Sequence, residues 1–551
     1  MKKGYEVIAE GVARHGVPVV FGLMGDTNMY FVRTLVEKHG VRAINVRHEN
    51  SAVLAALGYS VTTGNVGVAT TTSGPGLTHT ATALVSACRA HAPLVLVAGD
   101  TDPRHFGHNT QELDQRMFAA GVGAGFHRVE RIEQLADAVS VVFARARDEE
   151  RPIILSLPFD LQTSAVDDSI QTSDPYVLEK TEPWPSPGAV AMLVERLQGS
   201  RRPVFIVGRG ASGAVADIGA LARRVGAAVG TTLPMKGAFN GYELNLGVIG
   251  GFTTDAARVL LAAADLFVAF GASMGHYTRL IGTPIDPERL IVVDPAPQTF
   301  TEGHAKKLAV VADAGATAKA LLHTLGPGTP AETWGEEHRE LLERPAIWDE
   351  PDYSVGAGLL DVREVMALID HRIGVERMIS VGIGHYMSFP AIYLQKGVGR
   401  RYMSGYYFGS IGQSLPLAIG AAASGVPMLV LEGDGGLFQS LAELETAARH
   451  GLDLWIWVMN DGAYGAEVHK LRRGGFEGEP AYFGHADIAG IAAGLGVPSF
   501  TPASLADLEA WIDKNAGRPG PMLVDIRISY EVKSPTHRRI EAAMRGLGEA
   551  H

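Results

Sequence analysis

Short apolar runs rich in Val, Ile and Leu recur along the 551 residues and alternate with longer stretches of helical period. Strands that are apolar on both faces must be covered on both faces. A chain that alternates such strands with helices therefore folds as parallel sheets between helix layers. The runs fall into three groups. The first holds 17–23, 41–46, 66–72, 93–99 and 152–157. The second holds 203–208, 227–232, 266–271 and 290–294, and the third 378–382, 427–431, 452–459 and 522–528. The expected fold is α/β, with three doubly wound parallel-sheet domains at 1–168, 189–325 and 357–533. Polar, Pro-containing stretches separate them: one at about 166–188, and a linker at 326–356. A charged helical tail, 534–551, closes the chain. The first and third groups resemble one another, which suggests paired domains flanking a central one.

Composition narrows the function classes. A net charge of −12 argues against nucleic acid or an anionic membrane as partner. The single Cys88 excludes an internal disulfide framework and a cysteine metal site. No apolar run reaches membrane-spanning length, and the charged start lacks the apolar core of a secretory signal, so a cytoplasmic location is expected.

Two carboxylates stand out. Gly433-Asp434-Gly435-Gly436 closes the run before it, and Asn460-Asp461 closes the next, 27 positions after Asp434. Both lie at the carboxyl ends of expected strands, where ligands bind in open α/β sheets. Oxygen donors there suit Mg²⁺ shared with phosphate, and glycine lets backbone approach closely. Glu49, in Arg47-His48-Glu49-Asn50, opens an Ala-rich helix. Thr72-Ser73-Gly74-Pro75-Gly76 follows a strand, and Gly409-Ser410-Ile411-Gly412 precedes a helix. By themselves these read as a helix-end charge, a turn and core packing. His79, His91 and His385 are read as structural.

Together the motifs resemble those of thiamine diphosphate enzymes, in particular the acetolactate synthase, pyruvate decarboxylase and benzoylformate decarboxylase group. The resemblance covers nearly the whole chain: pyrimidine-binding, central and diphosphate-binding domains in order. It implies thiamine diphosphate and Mg²⁺ as cofactors. Glu49 would bond the aminopyrimidine N1′, and the Gly409 carbonyl its N4′. Ile411 would prop the bent cofactor, and Gly74, Pro75 and Gly76 would wall it. The diphosphate would lie on Gly433, Asp434, Gly435 and Gly436. By position the metal ligands are Asp434, Asp461 and the Ala463 carbonyl. The family has a second Asn where Asp461 stands, so Asn460 remains an alternative ligand.

The implied reaction is decarboxylation or carboligation of a 2-oxo acid, acetolactate synthase-like, through a thiazolium ylid and an enamine. An aldehyde or acyl acceptor completes the carboligation. Phe21-Gly22-Leu23-Met24-Gly25-Asp26-Thr27-Asn28 resembles a decarboxylase phrase, with Asp26 23 positions before Glu49. Glu467 stands where those enzymes carry a second acid. His108 and Gln111, in a stretch closer to the synthase pattern, are the substrate candidates. The bland readings are a helix N-cap for Asp26 and a solvated helix face, near Lys470, for Glu467.

Thr231-Thr232-Leu233-Pro234-Met235-Lys236-Gly237 matches the group's central domain. Gly208-Arg209-Gly210 there leaves room for ADP or another nucleotide. FAD is not expected, because Ser273-Met274-Gly275-His276-Tyr277 replaces the stretch that accompanies flavin. The site should lie between the first unit of one chain and the third unit of another, giving a homodimer or homotetramer. The alternative reading is a 2-hydroxyacyl-CoA lyase or oxalyl-CoA decarboxylase, for which Arg472, Arg473, Arg538 and Arg539 are the available cations. A flavin oxidase and a non-catalytic cofactor-binding protein complete the rivals, and Glu49 speaks against the latter.

Overall fold

The computed structural model describes all residues except 168, 177, 178, 180, 276, 280–282, 297–307, 329–332, 344–352, 354, 374–376, 396–401 and 549–551, and the side chains of 543–548. His276 and much of the expected 326–356 linker lie outside the described residues.

Every expected run is a strand, and together the strands build three six-stranded parallel sheets flanked by helices. The first sheet runs Arg42–Asn45, Val19–Gly22, Gly67–Thr71, Leu94–Asp100, Pro152–Pro158, Gly125–Arg128. The third runs Tyr402–Ser404, Met378–Val381, Met428–Gly433, Leu454–Asn460, Met522–Arg527, Ser499–Phe500. Numbered within each unit, both follow the order 2-1-3-4-6-5, so the likeness of the two groups extends to topology. The central sheet runs Asn245–Val248, Ala228–Thr231, Pro203–Val207, Leu266–Phe270, Leu290–Val293, Leu308–Val310. This is the order 3-2-1-4-5-6 of dinucleotide-binding folds. A short antiparallel pair, Lys2–Lys3 with Ala165–Val166, ties the first unit's two ends together. Besides that short pair, five strands of the three large sheets escaped the sequence reading: Gly125–Arg128, Asn245–Val248, Leu308–Val310, Tyr402–Ser404 and Ser499–Phe500. All are sheet edges.

The stretch expected to be wholly linker contributes the helix Glu336–Glu343. It stays with the central unit because Trp334, 2% exposed, is packed into that unit's core with Leu341 and Leu342 against it. No helix among the described residues is long and apolar enough to cross a membrane.

The first and third units meet through two helices, Glu49–Thr63 and Ser414–Ala423. The first is buried at every position from Ser51 to Ser60, so it is apolar all round and sits between two sheets. Two glycines set the closeness. A Cβ on Gly58 would fall 1.9 Å from the Leu417 carbonyl oxygen, and one on Gly420 would fall 1.8 Å from that of Ala55. The later residue of one helix meets the earlier residue of the other, so they cross in antiparallel sense and their N-terminal ends diverge.

Lys236 fastens the central unit to the third. Its Nζ donates to the Leu394 carbonyl at 2.6 Å in a fully buried setting. Burial lowers its ammonium to about 8. Below pH 8 the folded chain holds a buried charge at full cost. Between pH 8 and the unfolded value of 10.5 the folded lysine is neutral while the unfolded one still binds a proton, so stability rises with pH. Relative to Lys236→Met, the wild type should gain about 3 kcal/mol between pH 7 and 10.5. Urea midpoints of both proteins at the two pH values measure this, and a constant difference would contradict it.

Candidate active site

In an open sheet the crevice for a ligand opens where strand order reverses. In the third unit that point lies between Met378–Val381 and Met428–Gly433, and their loops carry Gly382–His385 and Gly433–Gly436. The glycines are required by space. A Cβ on Gly433 would lie 2.8 Å from Tyr386, one on Gly435 2.7 Å from Tyr464, and one on Gly436 2.4 Å from Glu432 Oε1. Asp434 begins a short helix and accepts the Gly462 N–H at 3.1 Å. Asp461, on the adjacent strand's loop, accepts the Ala463 N–H at 3.2 Å, and its other oxygen lies 3.7 Å from His385 Nδ1. Both carboxylates are buried. Burial, and then the charge of Asp461, push the Asp434 carboxyl up to about 7. Two adjacent buried carboxylates form an oxygen donor set that fits a hard divalent cation.

Asn460 faces the other way. Its Nδ2 donates to Asp525 at 2.9 Å and its Oδ1 lies 3.0 Å from His485 Nδ1. Side chains alternate along a strand, so of this pair Asp461 is the one on the Asp434 side.

Glu432 was missed from sequence, because the apolar run was taken to end at Leu431 while the strand continues to Gly433. It is fully buried, accepting from the Tyr386 hydroxyl at 2.8 Å and from the Ser414 hydroxyl, and burial raises its pKa. It thereby ties together the loop after Val381, the start of the Ser414 helix and the strand that delivers Asp434. The charge at the end of an apolar run was the available signal.

The first unit's equivalent crevice lies between Val19–Gly22 and Gly67–Thr71. Thr27 stitches its two loops, with its hydroxyl 3.0 Å from that of Thr72 and accepting the Ser73 N–H at 3.0 Å. Gly74 sits at φ +56°, where a Cβ would lie 2.5 Å from the Gln111 carbonyl oxygen. Ser73 donates to Gln111 Oε1 at 2.8 Å. Glu49, 7% exposed at the start of its helix, lies 3.0 Å from His79 Nδ1, and a Cβ on Gly76 would sit 3.6 Å from its Oε1. Pro75 opens the turn that carries Gly76 and ends before His79. Glu49, Gly74, Gly76 and Gln111 thus gather at one crevice. His79, read from sequence as a structural residue near the site loops, touches Glu49 directly.

Asp26 is exposed on the neighbouring loop, and Asn28, not Asp26, stands at the helix N-cap. His108 is exposed in the loop after Asp102. Glu467 is exposed and paired with Lys470 at 2.7 Å, as its bland reading has it. All three are exposed, whereas Glu49 is buried.

Gly409, at φ +81°, lines a cavity of about 370 Å³ together with Arg89, Tyr277, Tyr402, Tyr406 and Phe408. Arg89 lies over the Phe408 ring, 4.7 Å from its centroid. Ile411 follows, half-buried. The antiparallel crossing separates this loop from Glu49. Glu49 lies six residues before the Ala55 contact, about 9 Å along its helix at 1.5 Å per residue, and the Gly409 loop precedes the start of the other helix, at the opposite end of the crossing.

The central unit's crevice lies between Gly208–Gly210 and Gly271–Ser273. The two loops join through Gly210 N–H to the Gly271 carbonyl at 3.0 Å. A cavity of about 620 Å³ opens there, lined among others by Arg209, Thr232, Ser273 and Asp294.

Comparison with known proteins places this geometry. The chain is 27% identical over 546 residues to the acetolactate synthase isozyme 1 large subunit of Escherichia coli, covering 96% of this chain and 94% of that one. It is 26% identical to the sulfoacetaldehyde acetyltransferase of Rhodobacter capsulatus, covering 97% and 95%. It is also 26% identical to the chloroplastic acetolactate synthase 1 of Nicotiana tabacum, covering 96% and 82%. Residues 2–118 match the N-terminal TPP binding domain of thiamine pyrophosphate enzymes, 190–321 their central domain, and 382–526 their C-terminal TPP binding domain. With all three family domains present in order along three α/β sheets, the chain belongs to the thiamine pyrophosphate enzymes.

Proposed function

We propose that the chain is a thiamine diphosphate- and Mg²⁺-dependent decarboxylase or carboligase of 2-oxo acids, acetolactate synthase-like, acting in the cytoplasm. The observation that carries the reading is the placement of one buried carboxylate, Glu49, at the crevice of the first sheet and a buried pair, Asp434 and Asp461, at the matching crevice of the third. The names of the relatives, acetolactate synthases and an acetyltransferase, support acyl transfer after decarboxylation.

Asp434, Asp461 and the Ala463 carbonyl would hold the cation, and Gly433, Gly435 and Gly436 would leave room for the diphosphate beside it. Glu49 keeps a proton at the aminopyrimidine N1′, away from bulk water. The Gly409 carbonyl receives N4′–H, and Ile411 sets the bend. The bound cofactor supplies the nucleophilic carbon and the electron sink. Gln111 and His108 orient the 2-oxo acid, and Asp26 and Glu467 deliver or accept protons at the product carbon. The aromatic cavity beside Gly409 suits an apolar acyl group. The central crevice suits ADP or another nucleotide.

In one chain Glu49 and the helix that follows the Gly409 loop start from opposite ends of the crossing, which separates the two cofactor contacts. The reading therefore requires a second copy to complete each site, in a homodimer or a dimer of dimers.

Proton NMR of pyruvate and larger 2-oxo acids, with the protein, thiamine diphosphate and Mg²⁺, tests the reading. Acetaldehyde marks decarboxylation, and acetolactate or acetoin marks carboligation. If no 2-oxo acid is consumed, the assignment fails.

Asp461→Asn supplies a sharper check of the cation shell. It should keep cofactor binding but raise the Mg²⁺ needed for half-saturation about tenfold, since carboxylate count tunes affinity. Quenching of tryptophan fluorescence during Mg²⁺ titration reads this. An unchanged requirement would remove Asp461 from the shell.

A further inference from the structure

We propose that His48, Glu49 and His79 form a binding site for a borderline divalent transition metal such as Zn²⁺, and that the metal competes with the cofactor for Glu49. Donor atoms, one from each residue, all lie within 4.8 Å of one another. His79 Nδ1 is 3.0 Å from Glu49 Oε2, and the two imidazoles stack with centroids 4.9 Å apart at 30°. A tetrahedral zinc with bonds of about 2.0–2.1 Å sets its donors about 3.3 Å apart, so the widest pair must close by up to about 1.5 Å, a shift that turning of the imidazole rings supplies.

Local sequence explains the meeting. His48 caps the helix that Glu49 opens, and His79 ends the short Pro75–Thr78 turn at the same crevice. Glu49 is buried, while both imidazoles are exposed, so an ion reaches the site from solvent and the rings can turn onto it. Two imidazole nitrogens and one carboxylate favour zinc, copper or nickel over Mg²⁺, whereas the Asp434–Asp461 pair offers two carboxylates, with a single imidazole, His385, 3.7 Å from Asp461. One coordination position stays open for water. His48 Nδ1 accepts the Asn50 N–H at 3.1 Å. Ligation through Nε2 moves the ring proton to Nδ1 and gives up that contact. The metal replaces the hydrogen between His79 and Glu49, and takes the carboxylate that the cofactor reading assigns to aminopyrimidine N1′. The competition rests on that reading, whereas the metal site itself rests on the geometry alone.

The test uses the full chain freed of cofactor, in Mg²⁺ buffer that saturates oxygen sites. Zn²⁺ is titrated against a chromophoric chelator, with Co²⁺ as the spectroscopic probe. One ion per chain is expected, with affinity at least about tenfold weaker in His79→Asn and in His48→Asn. The melting temperature and circular dichroism of both variants establish that they fold. Zn²⁺ held as tightly by both folded variants as by the wild type would overturn the site while leaving the Glu49 assignment untouched. Release of the ion on adding thiamine diphosphate supports the competition. Zn²⁺ and cofactor bound together on one chain would overturn the competition, and the Glu49 assignment with it.

Discussion

Glu49→Gln is expected to lower turnover of any accepted 2-oxo acid at least about 100-fold while leaving thiamine diphosphate binding within a few-fold of the wild type. Gln matches Glu in size and still bonds a ring nitrogen, so the crevice between Gly76 and His79 keeps its shape. What is lost is an oxygen that can take and return a proton at N1′. Asp26 on the neighbouring loop is exposed, and the other buried carboxylate at this helix start, Glu443, is already engaged by the Arg47 N–H at 3.0 Å and the Thr446 hydroxyl at 2.7 Å. Steady-state rates together with calorimetric cofactor binding separate the two effects. Turnover within about threefold of wild type would remove Glu49 from the chemistry. Lost binding with intact folding would assign it to holding the cofactor instead.

The three-sheet architecture was legible because central strands are buried on both faces and must be apolar along nearly their whole length, as Pro203–Val207 is and as Leu454–Asn460 is up to its last residue. The edges were not. Gly125–Arg128 reads Gly-Phe-His-Arg and is half-buried. Asn245–Val248 contains Gly247 at φ +68° beside a register shift. Such segments become strands because a neighbour offers hydrogen bonds, which no local period announces. The missed edge Tyr402–Ser404 hid the floor of the aromatic cavity at Gly409. The carboxylates followed the same division. Asp434 and Asp461 were legible because glycines and strand ends mark them. Glu432 was not, since its partners Tyr386 and Ser414 come from other elements. His79 gained its place only when the turn at Gly74 folded it back toward Glu49. Asp461 against Asn460 could not be settled from spacing, because adjacent residues of a strand face opposite sides and the phase is set by the sheet.

Gly420→Ala should destabilise the protein by about 3 kcal/mol or more, and Gly420→Val should prevent a native union of the first and third units. The added Cβ would fall 1.8 Å from the Ala55 carbonyl oxygen, and that atom is backbone in the middle of a buried helix. No rotamer relieves it, and the helices would have to separate by more than an ångström along their whole contact. Gly58→Ala meets the Leu417 carbonyl oxygen at 1.9 Å and should cost a similar amount. The two substitutions should be less than additive, because a crossing already forced apart by one methyl accommodates the other. Gly121→Ala serves as the opposite case. It lies in the helix Gln115–Val122 with nothing within 4 Å of the added atom, and should be neutral or stabilising by up to about 1 kcal/mol. Urea unfolding of the four proteins decides the matter: a Gly420→Ala midpoint equal to that of Gly121→Ala would mean that the crossing is not held this close. Because the same crossing fixes where the Glu49 end and the Gly409 loop stand relative to one another, a loosened crossing should also lower cofactor affinity. That loss should appear in Gly420→Ala and be absent in Gly121→Ala.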